Sequence, residues 1–197
     1  MKERAQPDPS LLLRREFFER DPVSCARGLV GCEIAWKGCG GVIVETEAYS
    51  VRDDPACHTF SRPSTRAFVA AHTPGTAYVY LNYGVHWLLN FLVKGGEEDG
   101  FVLIRALEPT RGLAAMQRRR GAEAPKKLCS GPGKLTQALG IGPAQHGYDF
   151  TKEAALRLSR RREVSDVASG PRIGISKAVD LPWRFVLAGS ACLSAPL

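Results

Sequence analysis

The pattern of apolar and polar positions is sharpest between Gly41 and His58, in GVIVETEAYSVRDDPACH. The first half alternates with the two-residue period of a strand. Val42, Val44, Thr46 and Ala48 are expected on one face, and Ile43, Glu45, Glu47 and Tyr49 on the other. Asp53-Asp54-Pro55 then reads as a turn that brings His58 within reach of the strand's end. Upstream, residues 33–36 and the Gly-rich turn Lys37-Gly38-Cys39-Gly40 predict an antiparallel hairpin with this strand. Residues 61–74 show no clear period and read as a loop. Residues 77–81, 85–93 and 101–107 are three β-like runs, separated by Asn82-Tyr83-Gly84 and by KGGEEDG at 94–100. They predict an antiparallel meander with Tyr83 at a hairpin tip.

Helical signals are shorter. Ser10 is a candidate cap for a helix over residues 11–18, and Asp21-Pro22 opens a second that ends at Gly31. Glu108-Pro109-Thr110 predicts a helix running to Arg120, closed by Gly121. Residues 121–127 form a basic, flexible loop in this reading, and Ser130-Gly131-Pro132-Gly133-Lys134 leads into a helix that stops at Gly140. Residues 157–162 read as a basic helix or loop, and residues 172–175 and 183–187 as closing strands. The fold class expected is α+β: a flexible N-terminal arm at residues 1–9, then a single domain over 10–197 in which helices surround an antiparallel β-sheet.

Composition narrows the partners. A net charge of +7 on 197 residues points to an anionic partner, and 44% hydrophobic residues allow a sizeable core. No apolar run reaches the roughly 18 residues that a membrane span needs. MKERAQPDPS lacks the apolar region of a secretory signal, so a soluble cytoplasmic protein is expected, nucleoid-associated in a bacterium. The six cysteines lack zinc-like spacing and read as reduced, buried small residues. No metal is expected.

The candidate chemistry lies on the alternating strand. Carboxylates, a phenol and an imidazole brought together suit general acid–base work on a planar ring. An aromatic at a hairpin tip, Tyr83, is costly in water unless something binds it. Gly131 to Lys134 is not a Walker motif, but a helix N-terminus beside a lysine suits one phosphate of a polyanion.

Several motifs then agree in order: ETEAY at 45–49 with His58, YVYLNYG at 78–84 with Asn90, LIRALEP at 103–109, LCSGPGKLTQALG at 128–140 and PWRF at 182–185. From Phe17-Phe18 onward the chain resembles the 3-methyladenine (alkyladenine, N-methylpurine) DNA glycosylases. The resemblance implies an enzyme that flips an alkylated or deaminated purine out of duplex DNA and hydrolyses its N-glycosidic bond. The purines in question are 3-methyladenine, hypoxanthine and ethenoadenine.

It further implies roles by residue. Glu47 falls on the base that activates water, and Arg105 on a pocket arginine that helps hold it. Tyr49, His58 and Tyr80 fall on the walls that sandwich the extruded base, and Asn90 on the residue that rejects guanine. Tyr83 falls on the intercalating residue of a protruding hairpin, and Lys134 on a DNA-contacting segment. Between His58 and Gly75 the family pattern is altered, and Arg66 and Phe68 are the residues available to replace its DNA-gripping turn. The implied enzyme is monofunctional, without lyase activity, needs no metal or organic cofactor, and acts as a monomer on double-stranded DNA containing damaged purines.

Glu45 is expected as a partner of Glu47, and the tail after PWRF carries no functional message. Two other readings stand beside this one. A carbohydrate glycosidase would use Glu45 and Glu47 as its acid–base pair. A non-catalytic nucleic-acid-binding module would use the basic loops and Tyr83 and would tolerate loss of Glu47.

Overall fold

A twelve-residue strand, β2 (Cys39–Ser50), is buried along almost its whole length and gathers the other elements around it. The structure, a computed structural model, describes residues 11–121, 124–152, 155–160 and 166–197. The arm at 1–9 and the cap Ser10 lie outside the described residues. The other strands are β1 (Glu33–Trp36), β3 (Ala77–Asn82), β4 (His86–Val93), β5 (Gly100–Arg111), β6 (Leu156–Ser159), β7 (Val167–Gly170) and β8 (Arg184–Leu187). All pairings are antiparallel, in the order β3-β4-β5-β2-β1-β6, with β8 on β2 and β7 on β8. The helices are α1 (Pro22–Leu29), α2 (His58–Ser61), α3 (Pro63–Ala71), α4 (Leu113–Arg120) and α5 (Pro132–Leu139). The fold is thus a single α+β domain, with the expected meander in β3-β4-β5.

The hairpin between β1 and β2 turns on Lys37 and Gly38 alone, both left-handed at φ 45° and 80°. That is the two-residue geometry whose twist matches the strands it joins. Cys39 and Gly40, expected in the turn, belong to β2.

Along one edge β2 pairs with β1 as far as Val42, and then with β8 from Glu45 to Glu47. Its other edge pairs with β5, and at the changeover this ladder is irregular. Ile43 faces Leu107, Glu45 faces Ala106 and Thr46 faces Ile104, so Val44 and Arg105 are passed over. The bulge resets the alternation. Ile43 and Ala48 lie in the main core, where Thr46 donates its hydroxyl to the Ala26 carbonyl of α1. Val42 and Val44 pack instead with Ala106 and Cys192. The expected common face of Val42, Val44, Thr46 and Ala48 is therefore split, while Glu45, Glu47 and Tyr49 stay together beyond the bulge.

α1 starts as the sequence suggests. The Asp21 carboxylate accepts from the Ser24 amide at 2.8 Å, Pro22 fills the first turn, and Gly31 leaves the helix at φ 86°. Its inner face joins Phe18, Ile34, Trp36 and Phe91 in the core over β2 and β5.

Other expectations are corrected. Residues 11–18 are not one helix: Leu12 bridges Ser159, the Leu13 amide bonds the Leu158 carbonyl, and Arg15–Phe18 form a separate 3-10 turn. Pairing to the β6 edge satisfies this backbone better than a two-turn helix, whose nucleation is costly. Residues 61–74 are largely helical, because Pro63 suits a first turn and Thr65, Phe68 and Val69 bury one helical face.

Residues 108–111 extend β5 instead of starting a helix. Glu108 and Pro109 pair with Val42 and Gly41, and α4 begins only after Gly112, at φ 70°. Residues 156–159 form β6 against β1, and the last antiparallel pair is Val167–Gly170 with Arg184–Leu187, not 172–175. Within the expected basic loop, Pro125–Lys127 form a 3-10 turn; residues 122–123 lie outside the described set, as do 161–165.

All six cysteines are free and buried. Burial pushes the Cys25 and Cys32 thiols up to about 11 and the Cys129 thiol up to about 12. Among the described residues no helix is long and apolar enough to cross a membrane, and no cluster of His, Cys, Asp or Glu is arranged to hold a metal ion.

Gly41 tests the β2–β5 seam. A Cβ there would stand 2.2 Å from the Glu108 carbonyl oxygen and 2.9 Å from Pro109 Cα, both backbone atoms. Gly41→Ala is expected to destabilise the fold by about 2–3 kcal/mol, read as a lower urea midpoint at unchanged slope.

Candidate active site

Beyond the bulge, β2 carries Glu45, Glu47 and Tyr49 toward a cavity of about 530 Å³. Its walls include Tyr49, His58, Tyr80, Asn90 and Arg105, five of the residues expected at the site, together with Tyr83 at one rim. Glu47 is fully buried just beneath this wall and does not line the cavity itself. One oxygen, Oε2, accepts from the Tyr49 hydroxyl at 2.8 Å and from Arg105 Nη1 at 3.2 Å. The other, Oε1, accepts from the Ile173 amide at 2.7 Å. An ionised carboxylate has about four lone-pair sites, so about one is left for a further donor.

Glu45, the expected partner, is equally buried and lies outside the cavity. Its Oε1 accepts from Arg105 Nε at 3.2 Å, Arg184 Nε at 2.7 Å and the Ser194 hydroxyl at 2.7 Å. The Ser194 amide donates to Oε2 at 2.6 Å. Two carboxylates and two guanidiniums thus balance in one buried cluster, with Arg105 shared evenly between Glu45 and Glu47.

The aromatic walls are held from behind. Burial, then the Glu47 carboxylate that accepts from it, pushes the Tyr49 phenol well above its usual range. Its ring lies 4.7 Å from the Arg172 guanidinium. Arg172 in turn grips Asp54 through both nitrogens at 2.6 and 2.8 Å and donates to the Ala48 carbonyl at 2.9 Å. This pair fixes the turn after β2 and sets Ile173, the next residue, to offer its amide to Glu47.

His58 opens α2 and stands edge-on to Tyr80 at 4.5 Å, with Nδ1 3.4 Å from the Tyr78 hydroxyl. Burial, and secondarily the Arg62 charge, lowers its pKa from 6.5 to about 4, so the ring is neutral near pH 7. Asn90 pairs across the strands with Tyr78 and donates its amide to the Tyr78 carbonyl at 3.1 Å, which fixes its side chain at the wall.

Tyr83 sits at the β3–β4 tip with 84% of its surface exposed and a left-handed backbone at φ 49°. Leu81 and Val85 beside it are exposed as well. Lys134 is exposed in the first turn of α5, whose Pro132 lines the cavity and whose Gly133 packs on the His86 ring. Arg66 lies apart from the cavity wall, on α3, donating to the Thr59 carbonyl at 2.6 Å. Arg62 lines the cavity in its place, 5.6 Å from the Tyr80 ring.

Sequence reasoning missed six contributors: Asp54, Arg172, Ile173, Arg184, Ser194 and the rim cation Lys177. Asp54 was visible only as part of a turn. Ile173 acts through its backbone, which leaves no side-chain signal. Arg184 lies in PWRF, read as a strand. Ser194 lies in the tail that had no message.

The site is a buried carboxylate beneath an aromatic, basic-rimmed pocket, and comparison with known proteins assigns the chain to a family of enzymes. The profile of the methylpurine-DNA glycosylase family matches residues 16–191. The chain is 49% identical over 185 residues to a Rhodopseudomonas palustris protein named 3-methyladenine DNA glycosylase, covering 94% of this chain and 89% of that one. It is 47% identical over 193 residues to a protein of the same name from Nitrobacter winogradskyi, covering 96% and 92%. A third of that name, from Granulibacter bethesdensis, is 49% identical over 181 residues. The chain belongs to the methylpurine-DNA glycosylase family. It is a DNA glycosylase of alkylation-damage repair.

Two predictions follow from the geometry. Asp54→Ala leaves the Arg172 charge buried without its partner and is expected to cost about 3–5 kcal/mol in urea unfolding. His58 has a folded pKa of about 4 against a usual 6.5, so the unfolded chain binds more protons between those values. Its contribution to stability is complete above pH 6.5 and is lost as pH falls toward 4. His58→Gln should flatten the pH slope of the urea midpoint across that window, read as a difference from the native protein.

Proposed function

We propose that the protein flips alkylated or deaminated purines out of duplex DNA and hydrolyses their N-glycosidic bond with a water activated by Glu47. The observation that carries this reading is the position of Glu47, sealed beneath an aromatic pocket with three hydrogen bonds and one acceptor site left. That site takes the attacking water and accepts its proton. Cleavage develops oxocarbenium character on the sugar, and the carboxylate stabilises it electrostatically.

Tyr49, His58 and Tyr80 stack on the extruded base. A cationic alkylpurine gains a cation–π term from the tyrosines, and neutral His58 adds no opposing charge. Asn90 crowds the exocyclic amine of guanine, so the normal base is refused. Tyr83 enters the helix from the minor groove and fills the gap left by the flipped nucleotide, and its left-handed turn presents the ring before DNA arrives. Lys134 and the α5 N-terminus hold backbone phosphate, and Arg66 does so from α3. The substrates are 3-methyladenine, hypoxanthine and ethenoadenine. The enzyme is a cytoplasmic monomer, monofunctional because water and not an amine is the nucleophile, and it works without metal or cofactor, Glu47 being the group that activates the water.

Glu45 argues against the carbohydrate-glycosidase reading. An acid–base pair needs both carboxyls free to engage the substrate, whereas Glu45 already accepts four hydrogen bonds, from Arg105, Arg184 and twice from Ser194, and has no acceptor site left.

The test is single-turnover base release from duplexes carrying hypoxanthine, ethenoadenine or 3-methyladenine. Glu47→Gln is expected to slow release by about 100-fold or more while binding the same duplex with affinity close to native. Release by Glu47→Gln at the native rate would remove Glu47 from the mechanism.

A further inference from the structure

We propose that residues 192–197, which follow β8, form a latch that positions Arg105 over Glu47, with Ser194 as the positioning residue. The proposal rests on the reading of Glu47 and Arg105 as the reaction centre. The family profile ends at residue 191, so the latch lies outside the segment shared with that profile.

Each nitrogen of the Arg105 guanidinium has its own partner. Nε donates to Glu45, Nη1 to Glu47 and Nη2 to the Ser194 hydroxyl, at 3.2, 3.2 and 3.3 Å. The group is a rigid planar fork, so three anchors on three sides fix both its plane and its rotation. Ser194 serves this twice: its hydroxyl accepts from Arg105 while donating to Glu45 Oε1, and its amide donates to Glu45 Oε2.

The latch is itself held down. Arg184 of β8 donates to Glu45 through Nε and to the Pro196 and Ala195 carbonyls through Nη1 and Nη2, at 3.1 and 2.5 Å. Cys192 packs with Val42, Val44 and Ala106, and Leu197 lies over Gly170, where an added Cβ would come within 2.9 Å of it.

The latch decides how Arg105 is divided between two carboxylates that hold it at equal distance. Two of the four hydrogen bonds to Glu45 come from Ser194. Without them the buried Glu45 is under-satisfied and draws Arg105 toward itself. Glu47 then loses a donor, and the water it holds loses its alignment. Misplacement of this order at a reacting group is enough to slow chemistry tenfold or more.

The test compares the native chain with Ser194→Ala, with Ser194→Thr and with a chain ending at Leu193. Three quantities are read: single-turnover release of ethenoadenine per folded molecule, affinity for the same duplex, and modification of Arg105 by phenylglyoxal, mapped by mass spectrometry. The expected result is a fall in release rate of about tenfold for Ser194→Ala and more for the shortened chain. DNA affinity should stay within about twofold, Arg105 should become reactive, and Ser194→Thr should recover most of the lost rate. Release within about twofold of native in both Ser194→Ala and the shortened chain would overturn the latch. So would a loss of rate that tracks a loss of DNA affinity. The phenylglyoxal result does not depend on base release, so a latch that fails is distinguishable from a mistaken reading of the reaction centre: Arg105 left protected in the shortened chain sinks the latch whatever the substrate.

Discussion

An ionised carboxylate removed from water must be met by charge and hydrogen bonds or it is not tolerated, and β2 removes two of them. Glu45 and Glu47 are both fully buried on one strand. Stripping each of water costs several kcal/mol, and a carboxylate left without a partner would cost more than most single contacts return. Much of the architecture reads as the answer to that constraint. β5 brings Arg105 across from one side, β8 brings Arg184 from the other, and the chain beyond each end of β7 and β8 supplies the Ile173 and Ser194 amides. Arg105 stands two residues beyond Leu103, the cross-strand partner of Glu47, so strand alternation alone carries it to the face where the carboxylates lie.

The same burial makes the site chemically useful. Glu47 is surrounded by donors that come from rigid strands and a clamped loop, so its free acceptor site has a fixed direction. The aromatic wall above is held just as firmly, with Arg172 and Asp54 behind Tyr49 and a neutral His58 against Tyr80. Only the outer parts, Tyr83 on its hairpin and the cations Arg62, Lys134 and Lys177, face solvent, where a polyanion can meet them. The charge thus grades from a neutralised interior to a basic rim, the sign that suits an anionic DNA substrate.

Sequence reading reached the parts of this design that are local. The alternation through Glu45, Glu47 and Tyr49, the Asp21-Pro22 cap and the meander around Tyr83 all follow from neighbouring residues, and the structure contains them. What it missed depended on distance along the chain. No local pattern marks residues 108–111 as strand, because Gly41 on another element makes room for them. The helical face of Thr65, Phe68 and Val69 is too short to stand out by period. Residues 11–18 had a helix's composition but found an open strand edge. At the site, Arg105 was legible through its motif, whereas Ile173 contributes only a peptide N–H. Ser194 matters only because the fold carries it back to β2.

Sequence separation also governs when the site comes into being. The donors to Glu47 and Glu45 from Ile173, Arg184 and Ser194 stand 126, 139 and 149 positions further along the chain. Contacts of such high order form late, because the entropy of closing a long loop is lost before the contact returns anything. During synthesis on the ribosome β2, α1 and the meander emerge well before those donors. A nascent chain at that stage holds two acidic side chains on a strand that is not yet sealed. Sealing of the two carboxylates needs these last elements, so the candidate site is complete only once they have docked.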